Sequence, residues 1–215
     1  MSVSNYYIEK LAESKWNQDW ESSVTDPNLV KVPLCKFTGK IPKNITYEEY
    51  RTNGLTFAVE QQEAFGLHYH DRYNEGKLTK DTLHYNVFAQ MADHLGLEEW
   101  TAVFHNQIPG QMHMLHMDTL YSGGRFDYLG DKRREKIKRV FIMLEDWKPG
   151  QVIMFGGEYH YNWKKGDVMY FSWPDMPHGT ANFGHHERLM LMMTGLDNNN
   201  TFSAILDECP VFEIK

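Results

Sequence analysis

Residues 151–196 read QVIMFGGEYHYNWKKGDVMYFSWPDMPHGTANFGHHERLMLMMTGL. Four short runs stand out in this stretch: QVIMFGGE, DVMYFSW, HGTANF and ERLMLMMTG. Each is rich in β-branched, aromatic or Met residues, and turn residues at Gly166-Asp167, Pro174-Asp175 and Gly184 separate them. The same texture extends upstream. WTAVFHNQ, QMHMLHMDTLY and KRVFIMLEDW are divided by Pro109-Gly110, Gly123-Gly124 and Pro149-Gly150. Seven or eight short strands with tight turns in about a hundred residues predict a mainly β barrel or jelly roll from Trp100 onward.

Ahead of this stretch the texture differs. TKDTLHYNVFAQMADHLG (79–96) places Leu83, Val87, Phe88, Met91 and Leu95 on one stripe at helical spacing, with Thr79 as N-cap and Gly96 just past the end. Residues 1–55, with Pro27, Pro33 and Pro42, show no long periodic run and read as short elements and loops. The expected organisation is one domain over 1–215: a helical and loop extension over 1–99 packed on a β core over 100–215. The tail TFSAILDECPVFEIK is expected to add a strand.

Composition narrows the function classes. The chain has 215 residues, 41% hydrophobic and 24% charged, as ordinary globular proteins do. No apolar run approaches the length of a membrane span, and no signal-peptide pattern opens the chain, so the expected location is cytoplasmic, with no membrane partner. A net charge of −7 argues against sequence-independent grip on nucleic acid. Cys35 and Cys209 are far apart and predict neither a disulfide framework nor a thiolate zinc site.

Chemistry is suggested by the histidines. In QMHMLHMDTLY, His116 and Asp118 are two positions apart, hence on one face of a strand. An imidazole and a carboxylate there can share a metal, and His178, opening the run HGTANF, is the candidate third ligand. Two His and one carboxylate leave open positions, as in the facial triad of non-heme Fe(II) oxygenases; a tetrahedral zinc site uses the same ligands. Arg188 follows His178 by ten residues. Its guanidinium lies in an apolar run, its neighbour Glu187 points the other way on a strand, and a ligand carboxylate is the economical partner. The alternative for Arg188 is a surface salt bridge with Glu187 or another acid. His113 has the opposite parity to His116 in a regular strand and reads as a packed or outer-face residue rather than a ligand. His68 and His70 form a same-face pair with no third ligand. The basic run DKRREKIKR (131–139) reads as a solvated loop.

HxD at 116–118, His178 sixty residues on and Arg188 ten further resemble the 2-oxoglutarate- and Fe(II)-dependent oxygenases, the prolyl-hydroxylase-like branch most of all. The resemblance spans about residues 100–195. It implies a double-stranded β-helix, a cupin-like jelly-roll barrel with flanking N-terminal helices. His116, Asp118 and His178 would hold Fe(II), Arg188 would bind the distal carboxylate of 2-oxoglutarate, and Asn106 would contact the co-substrate. With O2, the implied reaction hydroxylates an unactivated C–H bond and releases succinate and CO2. The substrate is expected to be a small molecule such as an amino acid, or alternatively a peptidyl residue. Met190 departs from the pattern, because many relatives carry Ser two residues after the Arg. Small cupins are the rival resemblance, through Gly110-x5-His116-x-Asp118 and Pro177-His178-x3-Asn182. They place a second His where Asp118 stands, with a Glu close behind that is missing here. A cupin-type enzyme that ignores 2-oxoglutarate and a non-catalytic barrel are the competing classes.

Overall fold

The computed structural model describes residues 30–42, 75–77, 83–116, 129, 133–172, 176–197 and 199–215. In chain order the elements are β1 (Val30–Gly39), β2 (Glu75–Lys77), α1 (Tyr85–His94), β3 (Glu98–Gln107), β4 (Met112–His116), α2 (Arg133–Lys136) and β5 (Ile137–Met143). They continue with β6 (Gln151–Phe155), β7 (Glu158–His160), β8 (Asp167–Phe171), β9 (His178–Asn182), β10 (Arg188–Leu196), α3 (Thr201–Glu208) and β11 (Val211–Ile214).

The strands form two sheets. The larger runs β11-β1-β8-β5-β10-β3-β2 and the smaller runs β4-β9-β6-β7. From β3 to β10 the chain passes back and forth between them, and every pairing among these eight strands is antiparallel. That winding is a double-stranded β-helix, the mainly β jelly roll expected from the spacing of strands and turns.

Alternation along the strands fills two cores. One face of the large sheet carries Val140, Ile142, Val168, Tyr170, Leu189, Leu191, Met193 and Phe104. It is covered by Phe88, Met91 and Leu95 of the α1 segment and by Phe202 and Ile205 of α3. The other face carries Phe141, Met143, Met169, Phe171 and Met190, which meet Ile153 and Phe155 of β6 inside the barrel. β10, between β5 and β3, is therefore buried on both faces, which is why RLMLMM is nearly continuous in apolar residues. The Phe155 and Phe171 rings stack at 4.8 Å across the interior.

At one end of the barrel two turns interlock. Gly150 has φ +93°, and a Cβ there would come within 2.4 Å of the Gly184 nitrogen. Only glycine fits both the conformation and the approach. The contact, with Phe183 N–H donating to the Gly150 carbonyl at 2.8 Å, fixes the β9–β10 turn that leads into Arg188.

Four local expectations change. Residues 30–39 are not loop but a ten-residue strand inside the large sheet. Pro33 obscured it; a register shift against β8 between Lys31 and Cys35 accommodates the proline. Helix α1 begins at Tyr85 rather than near Thr79, which lies outside the described residues, and Leu83, ahead of the helix, is exposed. Gly96, at φ +66°, follows the helix end as expected. In the tail, TFSAILDE is helix α3, because Phe202, Ile205 and Leu206 share one buried face; the expected strand follows as β11, parallel to β1. Within the basic run, residues 133–139 are helix α2 and the start of β5, with Arg139 Nε donating to the Thr194 hydroxyl at 3.0 Å.

Candidate active site

His178 opens β9 on the inner face of the barrel and is 5% exposed. Its ring sits 4.5 Å from that of Phe171, on the opposite sheet. Nδ1 lies 3.1 Å from the Met176 carbonyl. A carbonyl only accepts, so in the neutral ring Nδ1 carries the proton and Nε2 the lone pair. Metal-binding imidazoles are commonly oriented by an outer hydrogen bond of this kind.

β4 lies beside β9, and His116 is the register partner of His178. Directly opposed residues of an antiparallel pair share one face of the sheet. The pairing brings two of the three expected ligand positions together. Asp118 lies outside the described residues, as do His68 and His70. Among the described residues no group of three or more His, Cys, Asp or Glu is disposed to hold a metal ion. The fit of Fe(II) thus rests on the tautomer of His178, the pairing of positions 116 and 178, and the carboxylate that the sequence supplies at 118.

The same ladder corrects the reading of His113. Met112 pairs with Ala181, His113 with Thr180 and His116 with His178. β4 advances three residues where β9 advances two, a bulge that resets the alternation. His113 therefore shares the inner face with His178 and Thr180. Its ring lies 6.3 Å from that of His105, whose register partner Met190 also faces the interior.

Arg188 begins β10 on the inner face, two residues before Met190, and is 2% exposed. Its Nη1 donates to the Val152 carbonyl of β6 at 3.3 Å. The side chain thus spans from the large sheet to the small one. Val152 is three residues along β6 from Phe155, the partner of His178, a separation of roughly 10 Å. No carboxylate pairs with this cation among the described residues, and Nε is buried without a hydrogen-bond partner. Burial pushes the Arg188 pKa down to about 9, so the group is still charged at neutral pH. Buried amides hold the backbone that leads into it. Gln151 donates to the His186 and Glu187 carbonyls at 3.2 and 3.1 Å. Asn182 donates to the Gln107 and His186 carbonyls, both at 2.8 Å.

Asn106 departs from its expected role. Its register partner is Leu189, on the outer face of the large sheet, and its amide donates to Glu187 Oε2 at 2.8 Å. The same bond holds Glu187 away from Arg188, as their opposite parity predicts. Gln107, one residue on, is the polar group that reaches the interior. It pairs with Arg188 in the ladder and donates from Nε2 to the Thr180 hydroxyl at 3.1 Å. Sequence reading missed Gln107 because parity on β3 is set only by its pairing with β10. Trp163 lies in the barrel core and Tyr170 in the outer one.

No family model matches the chain, and no curated protein matches it. Solved structures do. One is a prolyl-4-hydroxylase from Pseudomonas putida, 16% identical, covering 84% of this chain and 100% of that one at a TM-score of 0.42. A cupin protein from Bacteroides fragilis is 13% identical over 51% of this chain and 75% of that one, TM-score 0.33. A sugar phosphate isomerase of the cupin superfamily from Silicibacter pomeroyi is 13% identical over 57% of this chain and 59% of that one, TM-score 0.32. No helix among the described residues is long and apolar enough to cross a membrane.

Proposed function

We propose that this chain is an Fe(II)- and 2-oxoglutarate-dependent oxygenase that hydroxylates an unactivated C–H bond of a small molecule such as an amino acid. The observation that carries the reading is Arg188. A buried, charged guanidinium with no carboxylate partner among the described residues is costly. A ligand carboxylate removes the cost by pairing with it. Its position across the barrel from His178 suits a short dicarboxylate held at both ends.

In this reading His116, Asp118 and His178 hold Fe(II), which supplies activation of O2 coupled to decarboxylation of 2-oxoglutarate to succinate and CO2. The chain's own residues do the rest. Arg188 clamps the distal carboxylate and fixes the orientation of the co-substrate. Gln151 and Asn182 hold the backbone of residues 186 and 187 that leads into Arg188. Met143, Met190, Phe155 and Phe171 form an apolar part of the barrel interior, which would shield a reactive oxidant from water.

The test is anaerobic addition of 2-oxoglutarate to the Fe(II) protein. A weak visible charge-transfer band is expected in the wild type and is lost or weakened in Arg188→Ala. A cupin-type enzyme binds the metal and ignores the co-substrate. A non-catalytic barrel shows neither tight metal binding nor succinate release.

A further inference from the structure

A second buried atom in the barrel lacks a partner. Gln107 Oε1 is enclosed with no hydrogen-bond donor among the described residues, and the residue is 2% exposed. The amide is not simply reversed. Its other end lies 3.1 Å from the Thr180 hydroxyl and 3.4 Å from the Thr180 carbonyl. A hydroxyl tolerates either end of an amide, but a carbonyl accepts only from the nitrogen. Thr180 therefore fixes Nε2 on its own side and turns Oε1 away.

Gln107 and Arg188 are register partners on β3 and β10, yet no hydrogen bond joins Oε1 to the guanidinium. The anchor of Gln107, Thr180, is two residues from His178 on the same face of β9. The adjoining wall is polar too, with His113 opposite Thr180 and His105 next to His113. A carboxylate satisfies Arg188 but not Gln107. In the oxygenase reading the carboxylate takes up the Arg188 guanidinium, and at neutral pH 2-oxoglutarate carries no N–H or O–H, so the missing donor belongs to another molecule.

We infer that Gln107 is a specificity-determining residue for the primary substrate, accepting a hydrogen bond from an N–H of an amino group or amide. The inference rests on the oxygenase reading and narrows it to nitrogen-bearing substrates. Such a site rejects an analogue lacking the donor, because rejection leaves the buried oxygen unpaired.

The experiment uses the full chain with Mn(II) and 2-oxoglutarate for binding, and with Fe(II), O2 and 2-oxoglutarate for succinate release. The probes are free L-amino acids, their N-acetyl methylamides as peptide mimics, and fully N-methylated congeners of both that lack every N–H. Members of one N–H set are expected to raise the thermal midpoint and to stimulate succinate release. The matched N-methylated compounds do so at least about 100-fold less effectively. Which N–H set responds distinguishes a free amino acid from a peptide segment. Gln107→Leu is expected to erase the preference for N–H compounds. Equal response to N-methylated probes, no response to any N–H probe, or an unchanged preference in a folded Gln107→Leu protein overturns the inference and leaves only an ordered water on Oε1. The wild-type thermal response to 2-oxoglutarate alone, read on the same samples, tests the underlying reading separately.

Discussion

Arg188→Met is expected to make the ligand-free protein more stable and to remove its response to 2-oxoglutarate. Methionine keeps most of the apolar stem and deletes the charge. The fall from an ordinary guanidinium to a pKa of about 9 corresponds to about 5 kcal/mol of unfavourable burial at roughly 1.4 kcal/mol per pH unit. That is an upper bound. The variant also loses the bond to the Val152 carbonyl, worth about 1 kcal/mol, and the native site relaxes around the cation. A net gain of about 1–4 kcal/mol remains. For a chain of this size that is roughly 2–4 °C per kcal/mol in the thermal midpoint. The assay is a thermal melt of Mn(II)-loaded protein with and without 2-oxoglutarate. At a hundred times its dissociation constant the co-substrate stabilises the wild type by about 2.7 kcal/mol and leaves the variant unmoved. If Arg188→Met instead melts lower and still gains from 2-oxoglutarate as the wild type does, the guanidinium is structural and the argument from its orphaned state fails.

Two further outcomes follow from other residues. Burial holds the His160 pKa below its ordinary value, against the opposing pull of Glu158. Below an ordinary value of about 6.5, the unfolded chain therefore takes up a proton that the folded chain resists. The resulting stability is complete above that value and is lost as pH falls through it toward the folded pKa. His160→Gln should flatten the acid limb of a midpoint-against-pH curve, and an identical limb would exclude His160 as its source. Asn106→Ala removes a bond to a carboxylate on the outer face and should destabilise by about 1–2 kcal/mol without altering the 2-oxoglutarate response. A large loss of co-substrate affinity would return Asn106 to the site.

Much of the site's logic was legible along the chain because it depends on spacing. Strands are short, so a ten-residue interval across a tight turn places His178 and Arg188 on adjacent segments whatever the exact packing. A cation inside RLMLMM announces an unusual burial even before a fold is known. What spacing does not carry is parity across an irregularity. His113 reads as outer-face by counting, and one bulge in β4 moves it inside. Asn106 and Gln107 are equally polar neighbours, and only pairing with β10 decides that Asn106 meets Glu187 while Gln107 meets Thr180. β1 escaped reading for a related reason. Pro33 breaks the local pattern, and its strand is held by partners more than a hundred residues away.

By itself the sequence determined that the second half is a mainly β barrel and which residues are the candidates for its chemistry. Alternation and turn residues are local properties, fixed by the two-residue period of a strand and the φ angles of Gly and Pro. Only the tertiary structure decided which polar atoms end without partners. Satisfaction of a donor or acceptor depends on every strand that surrounds it, and those strands come from distant parts of the chain.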